Sequence, residues 1–228
     1  MTQLLVSVRS VEEFQLVADA GVRYIDVKEP RLGSLGAASL DVISGIASAV
    51  QPKHHLSIAL GELLDVPTFD PQHVPPRTNL VKWGLSECAS RPNWQTELRD
   101  RAASLPPEVG IVAVAYADWK TARAPQFEAV VEAGQELRCE VLLIDTFCKR
   151  HGNLLQHLTL ADLDRIIETA RAAGMKVALA GSLDHTAMAQ LRNTRAGIFA
   201  VRTAVCQGTR SGELNPHAVR ELASSLSP

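Results

Sequence analysis

A chain of 228 residues that is 46% hydrophobic can bury one sizeable core, and a net charge of −2 excludes the global basic field that nucleic acid or an anionic membrane surface would call for. Aromatic residues make up 4%, so the core must come from Val, Ile, Leu and Ala, which suits parallel strands covered by helices. The four cysteines (Cys88, Cys139, Cys148, Cys206) form no C-x-x-C pair, the opening "MTQLLVSVRS" carries no basic region, and no apolar run approaches the roughly 20 residues of a membrane span, so a cytoplasmic protein with one domain over 1–228 is expected.

In chain order, the expected strands are Gln3–Val8, Arg23–Lys28, His55–Leu60, Asn79–Gly84, Gly110–Tyr116, Glu140–Asp145, Met175–Ala180 and Ile198–Arg202. Helix-period segments lie between them. "SVEEFQLVADAG" opens on Ser10 with Glu13 three residues on, a capping box, and closes on Gly21. "TLADLDRIIETARAAG" repeats that design from Thr159 and Asp162 to Gly174. "NPHAVRELASSL" ends the chain with Asn215 as cap and Pro216 at the first helical position.

Eight strand–helix alternations predict an α/β fold, a closed (β/α)8 TIM barrel, over a doubly wound open sheet. Neither G-x-G-x-x-G nor G-x-x-x-x-G-K-[ST] occurs, which counts against a nucleotide-binding open sheet. Between the third and fourth strands, "GELLDVPTFDPQHVPPRTN" carries four prolines, so a Pro-rich loop is expected in place of the third wall helix.

Barrel chemistry sits at the C-terminal ends of the strands. The even strands "YIDVK", "LVKWG", "VLLID" and "IFAVR" place Lys28, Lys82, Asp145 and Arg202 there, expected as one charged ring over an aliphatic barrel. Burying such charges costs several kcal/mol each unless they pair or serve a ligand. Two ammonium groups brought together out of water repel, which favours a neutral amine able to attack a carbonyl and form a Schiff base. Asp26 shares a strand face with Lys28 and is placed to orient or balance it, and Asp145 is placed to move protons.

Phosphate is expected at the loops after strands seven and eight. "ALAGSL" offers Gly181 and Ser182, and "AVRTAVCQGTR" offers Arg202 with the Thr203 and Ala204 amides. A second anion is expected in "EPRLGSLGA", with Arg31 and Ser34. "AYADWKT" puts Tyr116 and Asp118 at the rim, and "DTFCKRHGN" adds Lys149. His151 reads as a surface residue, and the rings of His54 and His55 point apart at the start of a strand. No cluster has metal-ligand spacing, so no metal and no cofactor are expected.

"LLVSVRSVEE", "YIDVKEPRLGSLGA", "VKWGL", "AYAD", "LLIDTFCK", "VALAGSL" and "VRTAVC" together resemble, in order and over almost the whole chain, the (5-formylfuran-3-yl)methyl phosphate synthase family of methanofuran biosynthesis. The resemblance implies a class I aldolase-like barrel that joins two molecules of glyceraldehyde 3-phosphate with loss of phosphate and water. It implies that Lys28 of "DVK" forms the imine, that Lys82 of "K-x-GL" is an acid/base, and that Asp145 and Lys149 of "D-T-x-x-K" assist. From the residues alone, Lys28, Lys82 and Lys149 all stand as imine-forming candidates. Ser7, within the first motif, is expected among the substrate-binding residues. "DVPTFDPQHVPP" departs from the apolar helix of the family, which touches the wall and the interface of an expected homo-oligomer rather than the catalytic residues. The expected partners are triose phosphates. Another class I aldolase, or a non-catalytic sugar-phosphate-binding barrel, stands as the alternative.

Overall fold

The computed structural model describes residues 2–226; residues 1, 227 and 228, the ends of the expected 1–228 span, lie outside the described residues. Eight parallel strands close in sequence order into a barrel. They are β1 (Gln3–Val8), β2 (Tyr24–Val27), β3 (His55–Glu62), β4 (Leu80–Gly84), β5 (Gly110–Tyr116), β6 (Val141–Asp145), β7 (Lys176–Leu179) and β8 (Ile198–Val201). The helices are α1 (Val11–Asp19), α2 (Leu40–Ala49), α3 (Trp94–Ala103), α4 (Trp119–Ala122), α5 (Phe127–Glu136), α6 (Leu160–Ala172), α7 (His185–Leu191) and α8 (Pro216–Leu226). Between β3 and β4 the chain makes only a 3-10 turn, Pro71–His73.

Period-two alternation along each strand divides the core. Ile25 and Val27 of β2, Val81 and Trp83 of β4, and Leu142 and Ile144 of β6 pack outward against the helices, in one cluster with Phe14, Ile43 and Ile166. The alternate residues, Asp26, Lys82, Leu143 and Asp145, therefore turn to the barrel axis. Apart from Tyr116, the interior cluster is built from small and mid-sized side chains, among them Ala59, Val112, Val114, Ala178 and Ala180.

Helix ends follow the sequence, with one difference. Thr159 and Asp162 complete a reciprocal capping box at α6, and Asn215 Oδ1 accepts the His217 amide at 2.9 Å at α8. At α1, Ser10 Oγ accepts the Glu13 amide at 3.2 Å, but the Glu13 carboxylate does not return to the Ser10 amide. It accepts from the Arg9 amide at 2.9 Å and is recruited by Arg202. Gly21 and Gly174 take positive φ (+80° and +85°) just past α1 and α6, where a left-handed residue releases the chain. Among the described residues no helix is long and apolar enough to cross a membrane.

Candidate active site

The charged side chains at the upper mouth stand in two tiers rather than one ring. The lower tier is built by register. Ser7, Asp26 and Ser57 are direct neighbours across β1, β2 and β3. Asp26 Oδ2 accepts from Ser7 Oγ at 3.1 Å, and Oδ1 accepts from Ser57 Oγ at 2.8 Å. Lys82 lies two positions above the β4 partner of Ser57, and the barrel's stagger lets its Nζ donate to Asp26 Oδ1 and, at 3.2 Å, to Ser57 Oγ. Burial alone would raise the Asp26 carboxyl. The Lys82 and Lys28 charges and the bonds from Lys82 and Ser57 outweigh burial and hold it below the ordinary carboxylate value.

The upper tier centres on Asp145, the last residue of β6. Its Oδ1 accepts from Lys149 Nζ at 2.5 Å and from the Thr146 amide at 2.7 Å, and its Oδ2 accepts from Ser34 Oγ at 3.1 Å. Burial opposes ionisation, but Lys149 and Lys28 prevail and bring its pKa down to about 2. Lys149 also donates to Thr146 Oγ1 at 3.1 Å. Burial lowers the Lys149 ammonium against the pull of Asp145.

Lys28 differs from both other lysines. β2 ends at Val27, so Lys28 is the first residue of the following loop, anchored by its amide to Val8 O at 3.1 Å. Among the described residues its Nζ makes no hydrogen bond and no ion pair. Burial is the largest influence on it; Asp145 and Asp26 oppose, Lys149 and Arg210 reinforce, and the pKa comes down to about 8. The cations that act on Lys28 are thus Lys149 and Arg210, whereas the sequence pointed to Lys82, which is spent on Asp26. One narrow pocket of about 50 Å³ is lined by Lys28, Lys82, Asp26, Asp145, Lys149 and Arg210. An amine depressed toward neutrality beside two ionised carboxylates and two further ammonium groups is equipped to attack a carbonyl and to move protons around the adduct.

Residues 4–223 match the family model described as 4-HFC-P synthase. The chain belongs to the 4-HFC-P synthase family. It is 30% identical to the (5-formylfuran-3-yl)methyl phosphate synthase of Methanopyrus kandleri, over 98% of both chains. It is 28% identical to the enzyme of that name from Methanobrevibacter smithii, over 96% of both. Among solved structures it is similar to phosphoribosyl anthranilate isomerase from Thermotoga maritima, with TM-score 0.61 and 15% identity over 99% of this chain and 100% of that one. It is also similar to thiamine phosphate pyrophosphorylase from Pyrococcus furiosus, with TM-score 0.61 and 12% identity over 98% and 94%. These structural likenesses speak to the barrel alone. As a member of a family of synthases, the chain is an enzyme.

In this 4-HFC-P synthase family member the remaining expected site residues divide. Ser7, Gly181, Ser182 and Thr203 line the pocket. Gly181 and Ser182 take positive φ (+94° and +51°), and a Cβ on Gly181 would come within 2.9 Å of Thr146 Cγ2, so only glycine fits against that turn. Arg202 lines the pocket too, but it corrects the expectation of a ring. It follows β8 with φ −140° and ψ −55°, and all its donors are occupied elsewhere. Nη1 and Nη2 grip Glu13 at 2.8 and 3.0 Å, and the carbonyls of Ser7, Arg210 and Gly212 take the rest. Its head is a clamp between α1 and the last loop, with no N–H left for phosphate.

Tyr116 and Asp118 do not line the pocket. Tyr116 is buried and its hydroxyl donates to Glu62 Oε1 at 2.6 Å; Asp118 accepts the Phe147 and Cys148 amides at 2.6 and 2.8 Å. The Ser34 hydroxyl is directed to Asp145 Oδ2 and Thr146 O, at 3.1 and 2.9 Å. Arg31 is exposed on the first loop, and neither it nor Ala204 lines the pocket.

Sequence reasoning missed Ser57, an inward polar residue that the alternation in "HLSIAL" exposes, and Arg210. Arg210 sits in the irregular "CQGTRSG", where Nη2 donating to Gly33 O at 2.7 Å carries it over the pocket. Among the described residues no group of three His, Cys, Asp or Glu side chains could hold a metal ion.

Proposed function

We propose that this enzyme condenses two molecules of glyceraldehyde 3-phosphate to the furan phosphate of the family's name, releasing one phosphate and two waters, in methanofuran-type cofactor biosynthesis in the cytoplasm. Lys28 attacks the carbonyl of one triose phosphate, and loss of water gives the imine. Asp145, held ionised by Lys149, accepts a proton on the way to the enamine, and Lys149 and Lys82 return protons as the enamine adds to the second aldehyde and the ring loses water and phosphate. The substrate phosphate rests on the Gly181–Ser182 and Thr203 amides with Arg210 as the cation above. No cofactor or metal is needed, and the protein acts as a homo-oligomer.

The single observation that carries this reading is the contrast among the lysines: Lys82 and Lys149 each hold a carboxylate, and Lys28 faces the same pocket without one. The pocket's small volume means that substrate must push the Lys149 and Arg210 side chains from over it. Incubation with glyceraldehyde 3-phosphate should release phosphate and raise the ultraviolet absorption of a furan aldehyde. A reversible aldol product with no phosphate released would instead identify a simpler aldolase.

A further inference from the structure

At the opposite end of the barrel lies a larger space. TIM barrels are ordinarily filled by bulky branched side chains and are not pores. Here the inward position on β7 is Ala178, neighboured by Leu143 and Ile198, and Gly197 precedes β8. These small residues leave a lumen of about 590 Å³ that opens at the N-terminal ends of the strands. That volume falls in the usual range of small-molecule sites. Its walls are apolar, with Leu5, Leu80, Val112, Val141 and Ile198, and its roof is formed by Ser57 and Lys82. Leu5, Leu143 and Lys82 also line the pocket above. A single layer of side chains separates the two.

The lip is chemically uneven. On one side Tyr24 and His55 stack, with ring centroids 4.8 Å apart and planes 13° from parallel. Arg171, Lys176 and Arg195 stand at the mouth against one lining carboxylate, Glu140, with Glu168 reaching Arg195 from outside at 3.6 Å. Cations at a mouth over a greasy lumen with an aromatic lip select a small anion with a flat apolar body. A lumen of about 590 Å³ takes a small molecule. We infer that the lower mouth is a second binding site, distinct from the Lys28 pocket, for a small aromatic or furan-like carboxylate or phosphate, with its ring in the lumen and its anionic group at the lip.

The test uses the full-length protein and 2-naphthoate, followed by saturation-transfer NMR titration. Saturable binding is expected, weakened about tenfold or more by Ala178→Leu, which fills the lumen. Lys176→Glu, on the exposed lip, should weaken it several-fold without touching the core, and tests the charge even if Ala178→Leu fails to fold. Lys28→Ala should leave the affinity unchanged. Absence of saturable binding, full affinity in a folded Ala178→Leu protein or in Lys176→Glu, or loss of binding in Lys28→Ala would each overturn the inference. None of these readouts depends on the reaction at the upper mouth.

Discussion

Asp145 gives one carboxylate oxygen to Lys149 at 2.5 Å and the other to the Ser34 hydroxyl at 3.1 Å. It therefore stays ionised while leaving Lys28, whose charge it senses, without a bond. Lys82 is tied to Asp26 in the same way one tier below. The two carboxylates pair with Lys82 and Lys149 and leave Lys28 without an ion-pair partner among the described residues.

The first consequence is a pH profile. Only the neutral amine adds to a carbonyl, so kcat/KM and the rate of imine trapping should rise with pH through an inflection near 8, the value to which burial and the neighbouring cations bring Lys28. A limb near 10.5, the ordinary lysine value, would place the nucleophile outside this environment.

Stability carries the same signature with a definite sign. The folded protein releases the Lys28 proton near 8 and the unfolded chain near 10.5, so between those values the unfolded state binds more protons. Lys28 then opposes folding most below pH 8, and its cost fades as pH rises toward 10.5. Lys28→Ala should abolish turnover, fold normally, and be as stable as the wild type or more so at neutral pH. The advantage should shrink above pH 8 in urea unfolding; a mutant that unfolds globally would contradict the site.

Glu13 and Arg202 join α1 to the end of β8, with side chains 11% and 4% exposed. Burial would raise the Glu13 carboxyl, but Arg202 and Arg9 hold it low. Glu13→Ala leaves the guanidinium buried without its counter-charge and should cost about 3–5 kcal/mol in unfolding free energy. A change below about 1 kcal/mol would mean that the pair behaves like a surface ion pair.

Tyr116→Phe separates support from substrate contact. It removes the 2.6 Å bond to Glu62, whose carboxyl burial pushes up, and should cost about 1–2 kcal/mol of stability while turnover stays within a few-fold of wild type. A large rise in KM for glyceraldehyde 3-phosphate would return the phenol to the binding surface.

Much of this site could be read from the chain because short strands alternate strictly. Once "VLLID" and "LVKWG" are seen as strands, Asp145 and Lys82 must face the axis. Relative height is not local information. Treating every strand end as level produced one ring, whereas barrel stagger sets Lys82 beside Asp26. Arg202 lines the pocket, but its guanidinium is held by Glu13, a partner the sequence hides because Glu13 is already explained as half of a capping box. Tyr116 and Asp118 have the chemistry of binding residues, and nothing in their neighbours in sequence tells that Glu62 and two loop amides will claim them. Arg210 arrives on a loop with no periodicity to aim it.

The most direct measurement is borohydride reduction during turnover of glyceraldehyde 3-phosphate, followed by peptide mass mapping. A substrate-dependent adduct on Lys28 that disappears in Lys28→Ala is expected. An adduct on Lys82 or Lys149, or turnover with no trapped lysine, would contradict it.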